Sequence, residues 1–415
     1  MEMAAGRSDE LDDRVAAIVL AGGQGTRLFP LTQTRCKPAV GFGGRYRLID
    51  IPLSNSLNSR IHRLFVISQY FASNLNHHIS STYHANQENI DLLCPEENAS
   101  KKEWFEGTAD AVRKNLDHLL KTPADYFLIL SGDQLYNLDF RDMIAFARKK
   151  KADLVIASLP VAEEEAKRMG VMQLDKDSKV IDFYEKPKER SVLDRFARDG
   201  KYIGSMGIYV FERKTLIALL KEKGNDFGQH LLPIQVKRDN TYAYVYDGYW
   251  VDIGTIGSFY TANMALLDRK ECINMYDEAH PIFTRPHNLP SPLIRDTIVR
   301  DSLISQGSII DAKEIIHSVI GVRSRIKAGT VIRDSIVMGN HFYEPPTHQT
   351  LPTDLSIGEN CLIEKAIIDE HCHIGNNVQL VNRKKLKTLD GDGVFIRDGI
   401  IIVTSGTTLP DNYVL

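Results

Sequence analysis

The sequence VAAIVLAGGQGTR at residues 15–27 decides how the rest of the chain is interpreted. Its apolar half, residues 15–20, is too short to cross a membrane and is typical of a buried parallel strand. Its polar half contains three glycines, Gly22, Gly23 and Gly25. Such a turn lets backbone N–H groups approach a phosphate chain, for which Arg27 and Lys37 would supply positive charge. The alternative is a tight strand-to-helix turn flanked by two surface cations.

Two familiar phosphate-binding motifs are excluded by position. A P-loop requires Lys-Ser or Lys-Thr directly after its last glycine, whereas Thr26 and Arg27 follow Gly25. A dinucleotide-binding fingerprint counted from Gly23 requires glycine at position 28, which is Leu28. The motif that remains is Gly-Gly-x-Gly-Thr-Arg-Leu-x-Pro-Leu-Thr, followed by Lys37 and Pro38.

Composition narrows the class of protein. The chain has 415 residues, enough for two domains, and its net charge of −3 predicts no nucleic-acid partner. Its five cysteines include no Cys-x-x-Cys pair and are typical of reduced thiols. Residues 1–14 are acidic and lack an apolar core, so we expect a flexible tail that is neither a signal peptide nor an obvious transit peptide. No apolar run reaches about 18 residues, so we expect no membrane partner and a cytoplasmic location.

Two aspartates are candidate metal ligands. Residues 126–130 (YFLIL) predict a second buried strand, and its carboxyl end leads to Asp133. Ligands bind outside the carboxyl ends of strands in open α/β sheets, so Asp133 is well placed for a metal ion. A turn or helix N-cap aspartate is the alternative. Asp252, distant in sequence, is the second candidate.

The sequence predicts the conformation of Lys186 and a capping role for Thr108. Pro187 follows Lys186, so we expect an extended lysine that projects its ammonium group towards an anion, with an ordinary surface lysine as the alternative. Thr108 is expected to cap a helix. The apolar face of that helix would consist of Ala109, Val112, Leu116 and Leu119.

The histidine-rich segments do not favour metal sites. His77, His78 and His84 have no carboxylate or cysteine at ligand spacing, so we favour a solvated helix surface. The sequence His-Cys-His at residues 371–373 is expected to lie on the surface of a repeat.

The periodicity changes after a proline-rich linker at residues 281–292. Beyond it, apolar residues recur at every sixth position in three runs: Ile298, Ile304, Ile310, Ile316 and Val322; Ile320, Ile326, Ile332 and Met338; and Leu362, Ile368, Ile374 and Leu380. A helix cannot keep this period on one face, whereas a parallel β-helix stacks one apolar side chain per short strand. The predicted segments are a tail at residues 1–14, a first domain at 15–280, the linker, and a β-helix domain at 293–415.

Together these motifs resemble the glucose-1-phosphate adenylyltransferases, also called ADP-glucose pyrophosphorylases. The resemblance covers nearly the whole chain and rests on residues 22–27 (GGQGTR), 35–40 (RCKPAV), 46–50 (YRLID), 104–111 (WFEGTADA), 131–133 (SGD), 170–172 (GVM), 185–187 (EKP), 205–209 (SMGIY), 225–228 (NDFG) and 250–255 (WVDIGT). It implies an α/β fold, in which a Rossmann-like, mostly parallel sheet forms a nucleotidyltransferase domain and a left-handed parallel β-helix follows. It also implies synthesis of ADP-glucose and pyrophosphate from ATP and glucose 1-phosphate for glycogen or starch.

The resemblance assigns roles to individual residues. Arg27, Lys37 and Asp133 are the implied catalytic residues. ATP would be bound by Gly22, Gly23, Gly25, Thr26 and Arg27. Glucose 1-phosphate would be bound by Phe105, Gly170, Glu185, Lys186 and Ser205. The cofactor would be Mg²⁺, with Asp133 and Asp252 as its ligands.

The chain departs from the family pattern in ways that leave alternatives open. Residues 95–97 (PEE) replace the usual Ala-Gln-Gln, Gln134 replaces a histidine, and Phe105 replaces a tyrosine common in bacterial members. A related thymidylyl-, uridylyl- or guanylyltransferase is one alternative. A non-catalytic regulatory subunit of the same fold is another, although the chain retains all five implied catalytic and binding residues Arg27, Lys37, Asp133, Lys186 and Asp252.

The family is commonly a tetramer regulated by phosphorylated metabolites, so we expect a homotetramer with such effectors. A regulatory lysine of many members is replaced by Thr34 here. Arg383 and Arg397 stand where plant-type members carry activator lysines, and we therefore expect them to form the effector site.

Overall fold

The computed structural model describes residues 14–83, 89–95, 97–98, 101–102, 104–269, 271–346 and 351–415. They form two compact units. The sheet unit comprises the residues through Gly23, Ile49–Trp250 and Met275–Phe283, and the β-helix unit comprises Gln24–Leu48, Val251–Asn274 and Thr284–Leu415. The predicted boundaries of the tail, first domain, linker and β-helix domain stay predictions. The tail up to residue 13, His84 and Glu96 lie outside the described residues.

The sheet unit is built on a mixed β-sheet. Its strands are β1 (Val15–Ala21), β4 (Arg63–Ser68), β5 (Asn89–Leu93), β8 (Tyr126–Ser131), β10 (Leu154–Val161), β11 (Gly170–Leu174), β12 (Val180–Glu185), β13 (Tyr202–Glu212) and β14 (Thr241–Val245). The main path of the sheet runs β12-β11-β13-β8-β1-β4-β5, and β10 joins β13 to β14. The short strands β6 (Glu97–Asn98), β7 (Lys101–Lys102) and β9 (Gln134–Tyr136) lie outside this sheet.

Strand β1 occupies the position that its apolar sequence predicts. It pairs in parallel with β4 on one side and with β8 on the other, and most of its side chains are buried. Parallel strands end at the same edge of a sheet, so Gly22, Gln69 and Asp133 all follow strands at one carboxyl edge. The sheet therefore brings the first glycine of the turn and the predicted metal ligand to a common edge.

Helices cover the sheet. They are α1 (Asp50–Asn58), α2 (Ala72–Tyr83), α3 (Thr108–Lys114), α4 (Leu116–Leu119), α5 (Phe140–Lys150), α6 (Glu163–Ala166), α7 (Arg190–Phe196), α8 (Arg213–Leu220) and α9 (Leu232–Lys237), with a π-helical turn at Phe227–Leu231. The core between helices and sheet contains fully buried residues such as Ile18, Phe65, Phe127 and Phe211. Within the described residues, every helix is too short or too polar to cross a membrane.

The first part of the β-helix unit consists of short elements from Gln24–Leu48 and Val251–Asn274, two segments that lie in sequence between segments of the sheet unit. They are the 3₁₀ turns Thr26–Leu28 and Lys37–Ala39, the hairpin β2 (Gly41–Phe42) with β3 (Tyr46–Arg47), and α10 (Ile256–Asp268). Strand β15 (Trp250–Asp252) spans the point in sequence at which one unit gives way to the other. Helix α10 begins with a capping box, in which Thr255 and Ser258 exchange side-chain hydrogen bonds with each other's backbone N–H groups.

The remainder of this unit is a parallel β-helix. Its strands are β16 (Leu293–Ile294), β17 (Ile298–Arg300), β18 (Leu303–Ile304), β19 (Ile309–Ile310), β20 (Glu314–Ile316), β21 (Val319–Ile320), β22 (Arg325–Ile326), β23 (Val331–Arg333), β24 (Ile336–Val337), β25 (Leu362–Glu364), β26 (Ala366–Ile368), β27 (His373–Ile374), β28 (Gln379–Leu380), β29 (Thr388–Asp390), β30 (Val394–Arg397), β31 (Ile400–Val403) and β32 (Thr408–Leu409). Successive coils stack their strands in parallel, and β29–β31 form an antiparallel extension.

The six-residue period predicted the β-helix but not all of its core residues. Adjacent coils are 16 residues apart where Leu293 lies opposite Ile309, so the three sides average fewer than six residues each. The prediction of Ile316 and Leu362 as core residues is therefore wrong, because both are only partly buried. Their neighbours Ile315 and Ile363 are fully buried instead, and both pair with Ile332.

The prediction that residues 371–373 decorate the surface is also wrong. His371 and Cys372 are buried, and Cys372 belongs to the core of the β-helix. A short coil has few positions that point outwards, so a polar residue can be buried at a corner where the sequence pattern suggests exposure.

Candidate active site

The glycine-rich turn depends most strongly on Gly25. Gly25 has φ of 64°, in the left-handed region that favours glycine. A methyl group placed on it would lie 3.0 Å from Cγ2 of Thr32 and 3.1 Å from Cβ of Lys37. The hydroxyl of Thr32 also donates a hydrogen bond to the Gly25 carbonyl at 3.0 Å. Gly25 therefore brings the start of the Thr26–Leu28 turn close to Lys37.

Gly22 and Gly23 are less constrained by protein neighbours than Gly25. A methyl group on Gly22 would lie 3.8 Å from the nearest described atom, Cβ of Gln69, and one on Gly23 would meet no described atom within 4 Å. Packing against the described residues therefore does not require glycine at these two positions. A bound ligand would be the reason for glycine there. Their role in ATP binding stays a prediction.

Three predicted site residues come together in the β-helix unit. Nζ of Lys37 lies 3.7 Å from Oδ1 of Asp252. A methyl group on Gly254 would lie 3.2 Å from Oδ2 of Asp252 and 3.6 Å from Nη1 of Arg27. Arg27, Lys37 and Asp252 therefore lie close together beside Gly254. The Lys37 side chain is only 10% exposed, whereas that of Asp252 is 42% exposed and thus accessible to a ligand.

Asp133 lies in the sheet unit. It follows β8 and accepts a hydrogen bond from the hydroxyl of Ser131. The peptide N–H of Gly132 donates to the Leu20 carbonyl at 3.0 Å, which ties this turn to the end of β1. The local structure therefore fixes a partly buried carboxylate at the carboxyl edge of the sheet.

Gln134, which departs from the family pattern, joins three segments. Its amide nitrogen donates to the Met206 carbonyl at 2.8 Å, and its amide oxygen accepts from the Trp250 indole at 3.3 Å. Gln134 is buried, so both bonds are protected from water. Apart from the unusual residue itself, no pattern in the sequence predicts this arrangement.

Four predicted sugar-phosphate residues form one cluster in the sheet unit. Gly170 lies opposite Glu185 in the pairing of β11 with β12. A methyl group on Gly170 would lie 2.8 Å from Oε2 of Glu185, and one on Gly228 would lie 2.6 Å from the same oxygen. The Glu185 carboxylate is thus held between two glycines, and its Oε1 lies 3.2 Å from Nζ of Lys186.

Burial raises the pKa of the Glu185 carboxyl, and the nearby Lys186 ammonium partly offsets this effect. Burial also raises the pKa of Tyr209 well above its ordinary value, and the charge of Glu185 adds to the effect. Tyr209 interacts with the side chain of Ser205, which places Ser205 beside the same cluster. Tyr209 and Gly228 lie beside this cluster, and the sequence analysis assigned neither a role, although they belong to the quoted motifs at residues 205–209 and 225–228.

The prediction that Pro187 holds Lys186 in an extended conformation is wrong. Lys186 has φ of 49°, in the left-handed region. Its peptide N–H donates to the Met169 carbonyl at 3.1 Å, so tertiary hydrogen bonding overrides the local preference. The Lys186 side chain is 60% exposed, and its ammonium remains accessible to an anion.

Phe105 lies in a segment held by Gln69, which the sequence analysis missed. Gln69 accepts from the Phe105 N–H and donates to the Phe105 carbonyl. Next to it, Trp104 packs on Tyr70 with ring centroids 5.1 Å apart. Phe105 is therefore fixed near the carboxyl end of β4, and the residue that holds it, Gln69, is not one of those around Glu185.

The prediction of Thr108 as a helix cap is wrong. Gly107 is the N-cap, and Thr108 is the first residue of α3. The carbonyl of Asn225 accepts from the N–H groups of Ala109 and Asp110, and a methyl group on Gly107 would lie 2.3 Å from that carbonyl oxygen. The hydroxyl of Thr108 donates instead to Asp226. Two quoted motifs, residues 104–111 and 225–228, therefore form one structural unit.

Arg383 and Arg397 have separate structural partners. Arg383 is exposed and donates to Oε1 of Gln379 at 2.8 Å. Arg397 donates to the Leu389 and Ile396 carbonyls and pairs with Asp390. Their assignment to an effector site stays a prediction, in which a phosphate would compete with Asp390 for Arg397.

Comparisons with known proteins identify matches for both parts of the chain. Residues 16–269 match the family described as "Nucleotidyl transferase", and residues 287–414 match the "GLGC left-handed parallel beta-helix domain". The chain is 39% identical to "Glucose-1-phosphate adenylyltransferase small subunit, chloroplastic/amyloplastic" of Triticum aestivum, over 98% of this chain and 92% of that relative. The predicted fold class and the predicted family resemblance are thereby confirmed.

The same relative corrects one prediction. We expected a cytoplasmic location from the composition of residues 1–14, and this expectation is wrong because the wheat relative is a chloroplastic and amyloplastic protein. An acidic segment without an apolar core carries too little information to assign a compartment.

Proposed function

The chain belongs to the nucleotidyl transferase family, and we propose that it makes ADP-glucose and pyrophosphate from ATP and glucose 1-phosphate. The observation that carries this proposal is the charge cluster at Gly254, where Arg27, Lys37 and Asp252 lie close together. Two cations beside backbone N–H groups suit a triphosphate, and a nearby carboxylate suits a hard divalent cation.

The proposed reaction needs alignment and charge neutralisation more than a protein nucleophile. An oxygen of the glucose 1-phosphate phosphate group attacks the α-phosphorus of ATP, the bond to the β-phosphate breaks, and pyrophosphate leaves in line. Arg27 and Lys37 stabilise the negative charge of the triphosphate and of the leaving pyrophosphate. These roles require their charges to be held in place, which the turn at Gly25 provides.

Mg²⁺ is the proposed cofactor, with Asp133 and Asp252 as its ligands. Carboxylate oxygens are the ligands that Mg²⁺ prefers, and Asp252 is sufficiently exposed to exchange its contact with Lys37 for a metal ion. When bound, Mg²⁺ would neutralise phosphate charge and orient the triphosphate. The two aspartates belong to different units, so we assign each by its own neighbours.

The sugar phosphate is assigned to the cluster around Glu185. The exposed Lys186 ammonium would bind the phosphate group, and Glu185 would accept hydrogen bonds from sugar hydroxyls. Glycine at positions 170 and 228 leaves the space that the Glu185 carboxylate occupies. Ser205 and Phe105 complete the proposed set.

A nucleotide panel tests the proposed activity. Pyrophosphate release is measured with glucose 1-phosphate, Mg²⁺ and each of ATP, UTP, dTTP and GTP. We expect ATP to give the highest kcat/KM. A preference for another nucleotide would favour a related sugar nucleotidyltransferase, and no release with any nucleotide would favour a regulatory subunit.

We also propose that the chain forms a homotetramer through the first coil of the β-helix. The terminal strands β16 and β17 carry exposed apolar side chains at Leu293, Ile294, Ile298 and Val299. Unpaired strand edges with apolar side chains are stabilised by burial against another chain, and a second copy supplies the same surface. Sedimentation velocity should detect a tetramer at micromolar concentration, and a monomer alone would contradict this assignment.

The proposed effector is a small phosphate compound such as 3-phosphoglycerate, bound by Arg383 and Arg397. Thr34 lacks the charge that would favour fructose 1,6-bisphosphate. Activity is measured with each metabolite in the wild type and in the Arg383→Ala, Arg397→Ala double variant. Activation by fructose 1,6-bisphosphate that persists in the double variant would contradict the proposal.

A further inference from the structure

A cluster of metal-ligand side chains lies on the β-helix, apart from the proposed catalytic residues. One nitrogen of His341, one nitrogen of His371 and one carboxylate oxygen of Glu370 all lie within 4.8 Å of one another. Among the described residues this is the group of histidine, cysteine and carboxylate side chains that could hold a metal ion. Oε1 of Glu370 lies 3.4 Å from Nε2 of His341.

The backbone holds the two parts of the cluster together. Glu370 and His371 follow β26, whereas His341 comes from the coil below, shortly after β24. The peptide N–H of His371 donates to Oδ1 of Asn340 at 3.1 Å. Since Asn340 directly precedes His341, this bond fixes the spacing between the neighbouring coils.

His371 has unused binding capacity. The residue is 8% exposed, and its Nδ1 has no hydrogen-bond partner within the described part of the chain. Phe342 stacks on the imidazole with ring centroids 4.7 Å apart, and the His341 ring meets it edge-on. A buried nitrogen without a partner is destabilising, and coordination of an ion would satisfy it.

Two arginines determine the charge around the cluster. Arg35 is bound through two nitrogens to Asp369, at 2.8 and 3.2 Å, and its Nη1 also lies 3.4 Å from Oε2 of Glu370. Nη2 of Arg47 lies 3.1 Å from Nε2 of His341 and 3.6 Å from Oε1 of Glu370. Arg47 therefore contacts two of the three side chains that a metal ion would bind.

We propose that His341, Glu370 and His371 form a binding site for a divalent transition metal ion of the Zn²⁺ class, for which Arg47 is an internal competitor. Two imidazoles and one carboxylate are a ligand set that suits Zn²⁺, with a fourth position left for water. Tetrahedral coordination brings ligand atoms to roughly 3.4 Å from one another, so the donors must move closer. The exposed side chain of His341 supplies this movement, and Arg47 retains its hydrogen bond to the Ala39 carbonyl.

Metal titration of the intact protein tests the site. Zn²⁺ binding is measured by calorimetry with millimolar Mg²⁺ present, and Co²⁺ replaces Zn²⁺ as a spectroscopic probe of coordination. We expect one Zn²⁺ per chain in the wild type. His371→Ala and His341→Ala should each weaken binding at least about a hundredfold, and His77→Ala, which removes an exposed histidine of α2, should leave it unchanged.

An arginine variant distinguishes this site from adventitious binding. Arg47→Met removes the competing cation and should tighten Zn²⁺ binding, whereas adventitious binding at surface histidines would not respond. Equal Zn²⁺ affinity in the wild type and in His341→Ala would overturn the proposal. His341→Ala is decisive even if His371→Ala fails to fold, because the His341 side chain is 40% exposed.

Discussion

Replacement of Gly228 by alanine should disable the proposed glucose 1-phosphate pocket with one methyl group. That methyl group would lie 2.6 Å from Oε2 and 2.8 Å from Cδ of Glu185. The carboxylate must retreat by about 0.8 Å to restore an ordinary contact of 3.4 Å. Gly228 does not have a left-handed φ, so backbone strain does not confuse the interpretation.

A displacement of this size predicts a large and selective effect. Misplacement of a positioning group by about 1 Å can reduce a rate about a hundredfold. We expect KM for glucose 1-phosphate to rise at least about tenfold, while KM for ATP stays within about twofold, because the Lys186–Glu185 pair moves and the turn at Gly25 does not. The free energy of unfolding should fall by about 1–3 kcal/mol as the core adjusts.

Steady-state kinetics with one substrate varied at a time measure both constants. Gly41→Ala is the matched control, since its methyl group would approach no described atom closer than 3.9 Å. An unchanged KM for glucose 1-phosphate in Gly228→Ala would refute the assignment of Glu185 to this pocket. A rise in KM for ATP alone would refute the same assignment.

Three further predictions concern the charged residues. Asp133→Asn should lower kcat at least about a hundredfold and leave the fold intact by circular dichroism, because a metal-binding charge is lost at a partly exposed strand end; full activity would remove Asp133 from the site. Lys186→Ala should raise KM for glucose 1-phosphate, because the contact already exists in the ground state, and an effect on KM for ATP alone would reassign Lys186. Because burial raises the pKa of Glu185 above 4.5, the carboxyl takes up a proton in the folded protein at a pH where the unfolded chain is still ionised. Its contribution to stability therefore falls as pH rises from 4.5 through the folded-state pKa. On acidification, KM for glucose 1-phosphate should rise more steeply in the wild type than in Glu185→Gln, in which only the substrate phosphate titrates. Parallel pH profiles of KM in the two proteins would exclude Glu185 from the glucose 1-phosphate pocket.

The sequence predicted those parts of the structure that depend on short, regular patterns. The apolar run at residues 15–20 is the centre of a sheet, and the glycine at position 25 has the conformation that a tight turn requires. The β-helix followed from periodicity, but coils of 16 and 17 residues, shorter than three times six, shifted the core from Ile316 to Ile315. Local patterns specify the type of element more reliably than the register of its side chains.

Long-range contacts account for what the sequence did not predict. The conformation of Lys186 is set by the distant carbonyl of Met169, and α3 is capped by the carbonyl of Asn225. The cluster of His341 with His371 joins residues from different coils, so no spacing in the sequence marks it. The space for Glu185 is likewise visible only once Gly170 and Gly228 are seen on either side of it.

The most direct test of the proposed activity is ³¹P nuclear magnetic resonance of the protein with ATP, glucose 1-phosphate and Mg²⁺. We predict that the resonances of ATP and glucose 1-phosphate decline together while those of pyrophosphate and a nucleotide-sugar diphosphate appear in equal amounts. Formation of ADP or AMP with inorganic phosphate, or pyrophosphate without the diphosphate diester, would indicate hydrolysis and contradict the account.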